Sequence, residues 1–323
     1  MTAVYLTIDT EYSAALAEGP GAISRAENFR RMIAGDVPGG PVGIFHQMDV
    51  LERHGHKGIF FVDPLPALVW GTQAIADVVG PIVERRHGVQ LHCHTEWLAL
   101  AGEANPLGDR TGRNMADFSL AEQKRIVALA RDLLVEAGAP APVAFRAGNY
   151  GADDNTLRAL AAAGIAYDTS HCPGFADSAC RIGLGPDDRR PLRRLGVIEL
   201  PIGCIEASGG RLRHAQITAL SLREMVAALR HARDTGIASF TFVSHSFELL
   251  SRDRLRVNAL VRRRFEQLCA AIAEMPGVTT ATYAERPPAV GSGPVPAPIL
   301  PHNGLRAAMR MAEQAVSNTL YGT

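Results

Sequence analysis

The sequence predicts an α/β fold in which a parallel sheet closes into a barrel, with an open, doubly wound sheet as the alternative. Short apolar runs alternate with longer amphipathic patterns along the chain, which is typical of repeated strand–helix units. The 323 residues fit one large barrel or two average domains, and 47% hydrophobic with 20% charged residues is the composition of a globular protein. We find no internal repeat.

Eight short apolar segments are typical of buried strands and supply the sheet. In chain order they are Val4–Ile8, Gly58–Val62, Val89–His92, Ala144–Arg146, Ile165–Tyr167, Ile198–Leu200, Ser239–Val243 and Val278–Thr282.

Segments with helical periodicity lie between these strands. They cover about residues 42–54, 72–85, 119–137, 153–163, 221–234 and 252–274. Two of them begin with a capping box, in which Ser119 is followed by Glu122 and Ser221 by Glu224.

The sequence changes character after the last strand. Residues 1–285 form the predicted barrel, residues 286–304 are a linker rich in Pro and Gly, and residues 305–323 follow an amphipathic helix pattern that includes Leu305 and Val316. This helix docks either on its own barrel or on a partner subunit, and the second arrangement would make the protein a homo-oligomer.

Composition argues against several classes of function. Lys plus Arg (33) balances Asp plus Glu (33), so no bulk charge attracts nucleic acid. Five cysteines without a CxxC pair argue against a disulfide framework and against a cysteine-rich zinc site. We find neither the pattern of a secretory signal nor an apolar stretch of membrane-spanning length, and we therefore expect a cytoplasmic protein.

Polar residues follow the first and third strands. Asp9 and Glu11 follow the first strand, and His92, His94 and Glu96 lie at the end of the third. The carboxyl ends of parallel strands meet at one mouth of a barrel, and the i, i+2 spacing turns two side chains to the same side. Carboxylates and histidines so placed predict a divalent metal site, although Asp9 and Glu11 alone also suit the start of a helix.

Further polar residues follow later strands. Arg146 comes directly after an apolar run, where a buried cation requires an anion, either in a functional site or in a structural ion pair. Asp168 ends another strand. His245 stands between two serines, which taken alone also fits a hydrogen-bonded core histidine, and Glu248 is expected to support the site or to begin a helix.

Taken in order, these motifs resemble the polysaccharide deacetylase family, also known as NodB-homology carbohydrate esterases. The matching segments are Thr7–Glu11, Leu91–Trp97, Phe145–Gly151, Tyr167–Ser170 and Val243–Phe247, within a resemblance that spans residues 3–285. Two departures stand out: Thr10 separates two acids that are usually adjacent, and the second histidine is His94, whereas Glu96 occupies its usual position.

The resemblance implies a distorted (β/α)7 barrel and a site for hydrolysis of an N-acyl group. It implies that Asp9 is the base, that His245 is the acid, that Arg146 orients Asp9, that Asp168 holds His245 charged, and that a backbone N–H near Tyr150 binds the oxyanion. The implied metal ligands are Glu11, His92 and His94, with Glu96 as the alternative third ligand. Zn²⁺ is the first expectation for the metal, and Co²⁺, Mn²⁺ and Fe²⁺ are alternatives.

The expected substrate is an N-acylated, in the first place N-acetylated, amino sugar in a nucleotide sugar, a lipid-linked glycan or a glycoside. The products are the free amine and a carboxylate. Two other functions stay open: hydrolysis of a non-sugar C–N amide bond, and carbohydrate binding without catalysis. A pocket of acids and aromatic residues would favour a sugar, whereas an additional carboxylate-binding arginine would favour an amide acid.

Overall fold

The computed structural model describes residues 1–290 and 295–322. The strands of these residues are β1 (Thr2–Thr10), β2 (Asp36–Val37), β3 (Gly40–Pro41), β4 (Ile59–Val62), β5 (Gly88–Cys93), β6 (Ala144–Ala147), β7 (Tyr167–Asp168), β8 (Leu192–Arg194), β9 (Val197–Glu199), β10 (Cys204–Glu206), β11 (Leu212–His214), β12 (Ser239–His245) and β13 (Val278–Thr280). The α-helices are α1 (Ala14–Ala17), α2 (Arg25–Asn28), α3 (Ile44–Arg53), α4 (Ala67–Trp70), α5 (Gln73–Glu84), α6 (Leu120–Glu136), α7 (Asp154–Ala162), α8 (Leu222–Asp234), α9 (Ala259–Ala273) and α10 (Gly304–Tyr321).

A curled parallel sheet forms the body of the fold. Its strands lie side by side in the order β12, β1, β4, β5, β6, β7 and β9, all of them parallel, and β8 runs antiparallel at the outer edge of β9. The strand β13 pairs with the first residues of β1. The crossovers from β1 to β4, β4 to β5, β5 to β6 and β6 to β7 carry helices, as is usual for such connections, whereas residues 169–191 between β7 and β8 form no helix.

Backbone outside the regular strands closes the barrel between β9 and β12. The Gly203 N–H donates to the Thr241 carbonyl at 3.0 Å, and the Gly203 carbonyl accepts from the Ala215 N–H at 2.7 Å. The Val243 N–H in turn donates to the Ala215 carbonyl at 3.0 Å. Because this closure uses no regular strand pair, the barrel is distorted, and the predicted fold class is confirmed.

The alternation of side chains along β1 separates the interior of the barrel from the core beneath the helices. Val4, Leu6 and Ile8 belong to the large apolar cluster under the helices, whereas Tyr5 packs with residues from other strands inside the barrel. The same period of two carries Asp9 onto the interior face, at the end where the parallel strands finish. The strand pattern therefore positions the functional side chains.

The predicted strands all occur, with ends displaced by no more than two residues. The helix predicted over 252–274 is wrong in its first part, because 252–258 form a loop and α9 begins at Ala259, where the Asn258 side chain accepts from the Val261 N–H at 3.2 Å. The strands β2, β3, β8, β10 and β11 were not predicted, because two or three residues with polar members are too few to establish an apolar run or an alternating pattern.

The helix α10 packs on its own chain. Arg310 donates to Glu224 of α8 at 3.2 Å, and Asn258 donates to Ser317 at 3.2 Å. Of the two docking alternatives, contact with the barrel of the same chain is therefore present. Among the residues that the structure describes, no helix has the length and apolar character needed to cross a membrane.

Candidate metal centre and catalytic site

Three predicted metal ligands converge at the mouth of the barrel. Glu11 follows β1, and His92 and His94 lie in and just after β5. The Glu11 Oε2 lies 3.0 Å from the His92 Nε2 and 2.6 Å from the His94 Nε2. One ligand atom from each residue falls within 4.8 Å of the others. A carboxylate oxygen with two imidazole nitrogens is a donor set that Zn²⁺ and similar ions take, so these residues fit a divalent metal.

Hydrogen bonds fix which nitrogen of each histidine faces the cluster. The His92 Nδ1 lies 2.8 Å from the Arg146 carbonyl oxygen, which can only accept, so Nδ1 carries a hydrogen and Nε2 is the nitrogen that faces Glu11. The His94 Nδ1 lies 3.2 Å from the Glu96 carboxylate. This pattern, in which one ring nitrogen is supported so that the other can ligate, is usual for metal-binding histidines. It favours His94 as the third ligand and places Glu96 behind it.

In the cluster, Glu11 and His94 stabilise each other's charged form. Burial raises the pKa of Glu11, but the charge of His94 and the hydrogen bonds from both histidines outweigh it and hold the pKa well below its usual range. Burial lowers the pKa of His94, but Glu11 and Glu96 outweigh it and raise the pKa well above its usual range. A proton on His94 therefore balances the carboxylate, and a divalent metal would displace that proton on binding.

Asp9 and Arg146 form an ion pair inside the barrel. Arg146 is fully buried, its Nη1 donates to the Asp9 Oδ1, and its Nη2 donates to the Thr7 Oγ1 at 2.9 Å. The guanidinium lies 4.4 Å from the centre of the Phe61 ring. Arg146 thus has the anionic partner that its position in the sequence demanded, and it holds one oxygen of Asp9 in place.

His245 stands across from Asp9, with Glu248 on its other nitrogen. The His245 Nε2 lies 3.8 Å from the Asp9 Oδ2, and its Nδ1 lies 3.2 Å from Glu248. The other oxygen of Glu248 accepts from the Thr218 N–H at 2.8 Å and from the Thr218 hydroxyl at 2.6 Å. Burial lowers the pKa of His245, but Glu248, with the charges of Asp9 and Glu11, outweighs it and raises the pKa to about 9. His245 is therefore protonated at neutral pH.

The prediction that Asp168 keeps His245 charged is wrong, because Glu248 is the carboxylate that contacts His245 in this way. Asp168 accepts from the Ser170 N–H at 3.0 Å and from the Ser170 hydroxyl at 2.9 Å, and it is paired in register with Glu199 of β9. Burial raises the pKa of Asp168 and raises that of Glu199 well above its usual range, which favours one proton shared between two neighbouring carboxylates. Asp168 is thus engaged with its own neighbours, while Glu248 is close to His245 in the chain.

Tyr150 follows a turn at the end of β6. Asn149 and Tyr150 both have positive φ, 55° and 54°, a conformation that costs free energy for residues other than glycine. The Tyr150 ring packs 6.4 Å from that of Phe175, and its hydroxyl is buried with no hydrogen-bond partner among the described residues. Asn149 of the same turn donates to the Glu96 carboxylate at 3.1 Å, so the turn that carries the predicted oxyanion-binding N–H lies beside the site. Its part in binding an oxyanion stays a prediction.

Two residues near the predicted metal ligands were not predicted from the sequence. Asp63 comes directly after β4, in a position similar to that of Asp9 near the end of β1. Asp63 is buried, and one of its carboxylate oxygens has no hydrogen-bond partner among the described residues. Burial, the largest effect, raises the pKa of Asp63 to about 7. Its signal was available, since it is an acid directly after a strand. Arg254, the second, lies in a segment that had been predicted as helix.

A cavity of about 320 Å³ opens beside the predicted metal ligands. Its lining includes Glu11, His94, Glu96, Trp97, Arg113, Arg254 and residues of the helix α1. The cavity therefore gives a small ligand access to the predicted ligand cluster.

Solved structures of similar fold are found across nearly the whole chain. A candidate polysaccharide deacetylase from Mycobacterium smegmatis superposes with a TM-score of 0.58 at 18% identity, covering 91% of this chain and 94% of that one. A family 4 carbohydrate esterase from Streptomyces lividans, in complex with acetate, gives 0.45 at 9%, covering 91% and 98%. A 4-alpha-glucanotransferase from Thermococcus litoralis gives 0.49 at 11%, covering 88% and 39%.

The mycobacterial match shows that this chain has the fold of that protein, which confirms the predicted resemblance at the level of the fold. At 18% identity the likeness is one of fold alone. A scan against models of protein families and a search of curated proteins gave no match.

Proposed function

We propose that this protein is a metal-dependent hydrolase that removes an N-acyl group, in the first place an N-acetyl group, from an amino sugar. The observation that carries the proposal is the convergence of two sets of side chains at one barrel mouth. Glu11, His92 and His94 form a ligand cluster, and the Asp9 carboxylate stands beside them, held by Arg146 and facing His245. The fold that the chain shares with a candidate polysaccharide deacetylase supports the same reaction.

Glu11, His92 and His94 would hold the divalent ion, with Zn²⁺ first and Co²⁺, Mn²⁺ or Fe²⁺ as alternatives. When bound, such an ion polarises the acyl carbonyl and lowers the pKa of water near it. The hydrogen bonds at the Nδ1 atoms of both histidines keep their Nε2 atoms directed at Glu11.

Asp9 takes the proton of the attacking water as that water adds to the acyl carbon. One oxygen of Asp9 is held by Arg146, whereas the other faces His245 at 3.8 Å and is placed to accept. Arg146, fully buried, holds the carboxylate in a fixed orientation through this ion pair. A base held in this way typically contributes about 10²- to 10⁴-fold to the rate.

His245 gives its proton to the departing amine, because an amine leaves poorly without one. Glu248 keeps His245 protonated at neutral pH, since it raises the pKa of the imidazole against the effect of burial. The backbone N–H near Tyr150 would bind the oxyanion that forms when water adds, and loss of such a donor typically costs about 3–4 kcal/mol. The cytoplasmic location expected from the sequence favours a nucleotide sugar, a lipid-linked glycan or a glycoside as substrate.

Metal content and hydrolysis test this proposal together. We expect about one divalent ion per purified chain, bound far more weakly in His92→Ala because one ligand of three is lost. His302→Ala, which alters an exposed histidine just before α10, should leave the metal content unchanged. We expect Asp9→Asn to keep the metal but to lose hydrolysis of N-acetylated amino sugars by at least about 10²-fold. A folded Asp9→Asn protein with full activity would rule out Asp9 as the base. A wild-type protein without metal or hydrolysis would support a carbohydrate-binding barrel.

One observation favours the second candidate, hydrolysis of a non-sugar amide. Arg254 lines the same cavity as Glu11 and His94, and an additional arginine there suits a substrate with an anionic group.

A further inference from the structure

Arg254 lies in the cavity beside the metal ligands without an acidic partner. It lines this space together with Glu11, His94 and Glu96. Among the residues that the structure describes, no carboxylate lies within ion-pair distance of its guanidinium. Partly buried arginines are normally paired, because an isolated cation is costly to remove from water. An unpaired arginine here therefore calls for an anion from outside the chain.

The Phe247 ring and the Met32 thioether cover the guanidinium and leave most of its hydrogen-bonding capacity unused. The Arg254 guanidinium carbon lies 4.2 Å from the centre of the Phe247 ring, and its Nη1 lies 2.6 Å from the Met32 sulfur. A guanidinium has five N–H donors, and a thioether accepts only weakly. Burial lowers the pKa of Arg254, and the charge of Glu11 opposes this. Glu11 is itself engaged by His92 and His94, so it does not complete a pair with Arg254.

The loop that carries Arg254 is held from two directions. Inside the loop, the Asp253 carboxylate accepts from the Ser251 hydroxyl at 2.5 Å and from the Leu255 N–H at 3.0 Å. From outside, the last turn of α10 accepts from the Arg252 N–H at 3.1 Å and from the Arg256 side chain at 3.1 Å. Arg254 itself has a φ of 59°. A non-glycine residue keeps such a conformation where its surroundings hold it there, which is common in binding sites.

A second arginine of the cavity shows the contrast. The Arg113 side chain is 78% exposed and lies 3.8 Å from Glu96, so water and a carboxylate both serve it. Glu18, the remaining acid of the cavity, is exposed at the rim. Arg254 is thus partly buried and held in place without a counter-charge, whereas Arg113 forms an ordinary solvent-exposed ion pair with Glu96.

We infer that Arg254 binds an anionic group, a carboxylate or a phosphate, that the substrate carries close to its N-acyl group. This inference rests on the proposed function, and it narrows the substrate class to N-acyl amino compounds with a negative charge. Arginine suits this part because its planar fork meets a carboxylate or phosphate with two parallel hydrogen bonds.

The test compares substrates that differ in this charge, using the zinc-loaded full chain. N-acetylglucosamine is neutral, N-acetylmuramic acid adds a carboxylate, and N-acetylglucosamine 1-phosphate adds a phosphate. We expect Arg254→Gln to raise KM for a charged compound by about 10- to 100-fold, with kcat changed by less than about threefold, and to leave the neutral compound unaffected within about twofold. Arg254→Lys should restore part of the loss, since it keeps the charge without the fork.

The charged compound that responds to Arg254→Gln identifies the anionic group as carboxylate or phosphate. The matched control is Arg158→Gln, which removes an exposed arginine of α7 outside this cavity and should change KM by less than about twofold. An equal rise in KM for neutral and charged compounds in Arg254→Gln would overturn the inference. Unchanged KM values for both charged compounds would overturn it as well.

Calorimetric binding of inorganic phosphate and of N-acetylmuramic acid, with and without zinc, separates this inference from the proposed function. Weaker binding to Arg254→Gln than to wild type, in a protein that hydrolyses none of the compounds, would leave the anion site standing and overturn the hydrolase. Hydrolysis of the neutral compound, with binding of both anions unchanged by the substitution, would leave the hydrolase standing and overturn the anion site.

Discussion

At the scale of single residues, Glu248 determines the protonation of His245. It contacts the imidazole at 3.2 Å and is itself held by two hydrogen bonds from Thr218. A proton donor must be protonated, so activity should persist below the pKa of His245, about 9, and fall above it. We expect Glu248→Gln to move the alkaline limb of the kcat/KM profile to lower pH, because the substitution removes the anion that raises the pKa of His245 most, while burial still lowers it.

The same substitution has a second readout in the metal-free protein. The pKa of His245 is about 9 in the folded state against 6.5 as its ordinary value, so its stabilising contribution is complete below about pH 6.5 and is lost as the pH rises through 9. This pH dependence of the unfolding free energy should weaken in Glu248→Gln. Glu266→Gln, which alters an acid beside His46 on the outer helices, serves as control. An alkaline limb that stays in place in Glu248→Gln would mean that His245 is not the proton donor.

Most of the site's residues were predictable one at a time, but their partners were not. Asp9, Glu11, His92 and His94 lie at or just beyond the carboxyl ends of strands, and that position alone predicts the barrel mouth. Asp168 also lies at the end of a strand, yet its contacts depend on the register with β9, which places Glu199 next to it. Register is a property of the assembled sheet, and a single sequence does not contain it.

At the scale of elements, α10 is anchored by polar contacts. The apolar residues that predicted the helix remain largely in water, since Leu305 is 72% and Val316 50% exposed, whereas Arg310 and Ser317 are buried. The periodicity therefore predicted the helix but not the face on which it docks. The face of α10 that packs on the barrel is the one that carries Arg310, which forms an ion pair with the buried Glu224 of α8.

Removing Arg310 should therefore loosen the helix. In Arg310→Ala, Glu224 stays buried without its cation, although Ser221 still donates to it, and we expect the unfolding free energy to fall by about 3 kcal/mol. Urea denaturation measures this. Met311→Ala, at an exposed neighbouring position of the same helix, should change stability by no more than about 0.5 kcal/mol. Equal stability of both variants would show that the ion pair does not anchor α10.

At the scale of the whole molecule, the barrel depends on a close approach at Gly203. A Cβ at this position would lie 2.5 Å from a carbon of the Phe240 ring and 2.8 Å from the Thr241 carbonyl oxygen. Gly203 lies where irregular backbone joins β9 to β12. The sequence predicted the strands that form the barrel, but it could not predict this closure, because the closing residues have neither strand periodicity nor regular pairing.

We expect Gly203→Ala to destabilise the protein by about 1–3 kcal/mol, since the added methyl group overpacks a closed site. The matched control is Gly80→Ala in α5, where a Cβ would meet nothing within 4 Å, and this change should stabilise the protein by about 0.5–1 kcal/mol through helix propensity. Chemical denaturation of both variants against wild type provides the measurement. A neutral Gly203→Ala would mean that the closing segment yields without loss.

The contacts between the last turn of α10 and the Arg254 loop make the pocket sensitive to events at the far end of the chain. The carbonyls of Leu320 and Tyr321 hold residues 256 and 252, on either side of the proposed anion-binding arginine. If a fusion tag, a protease or a bound protein unfolded this turn, the set of accepted substrates would therefore change. Glu11, His92 and His94 would keep their positions, because β1 and β5 hold them. The helix α10 would then control substrate selectivity without altering the residues proposed for catalysis.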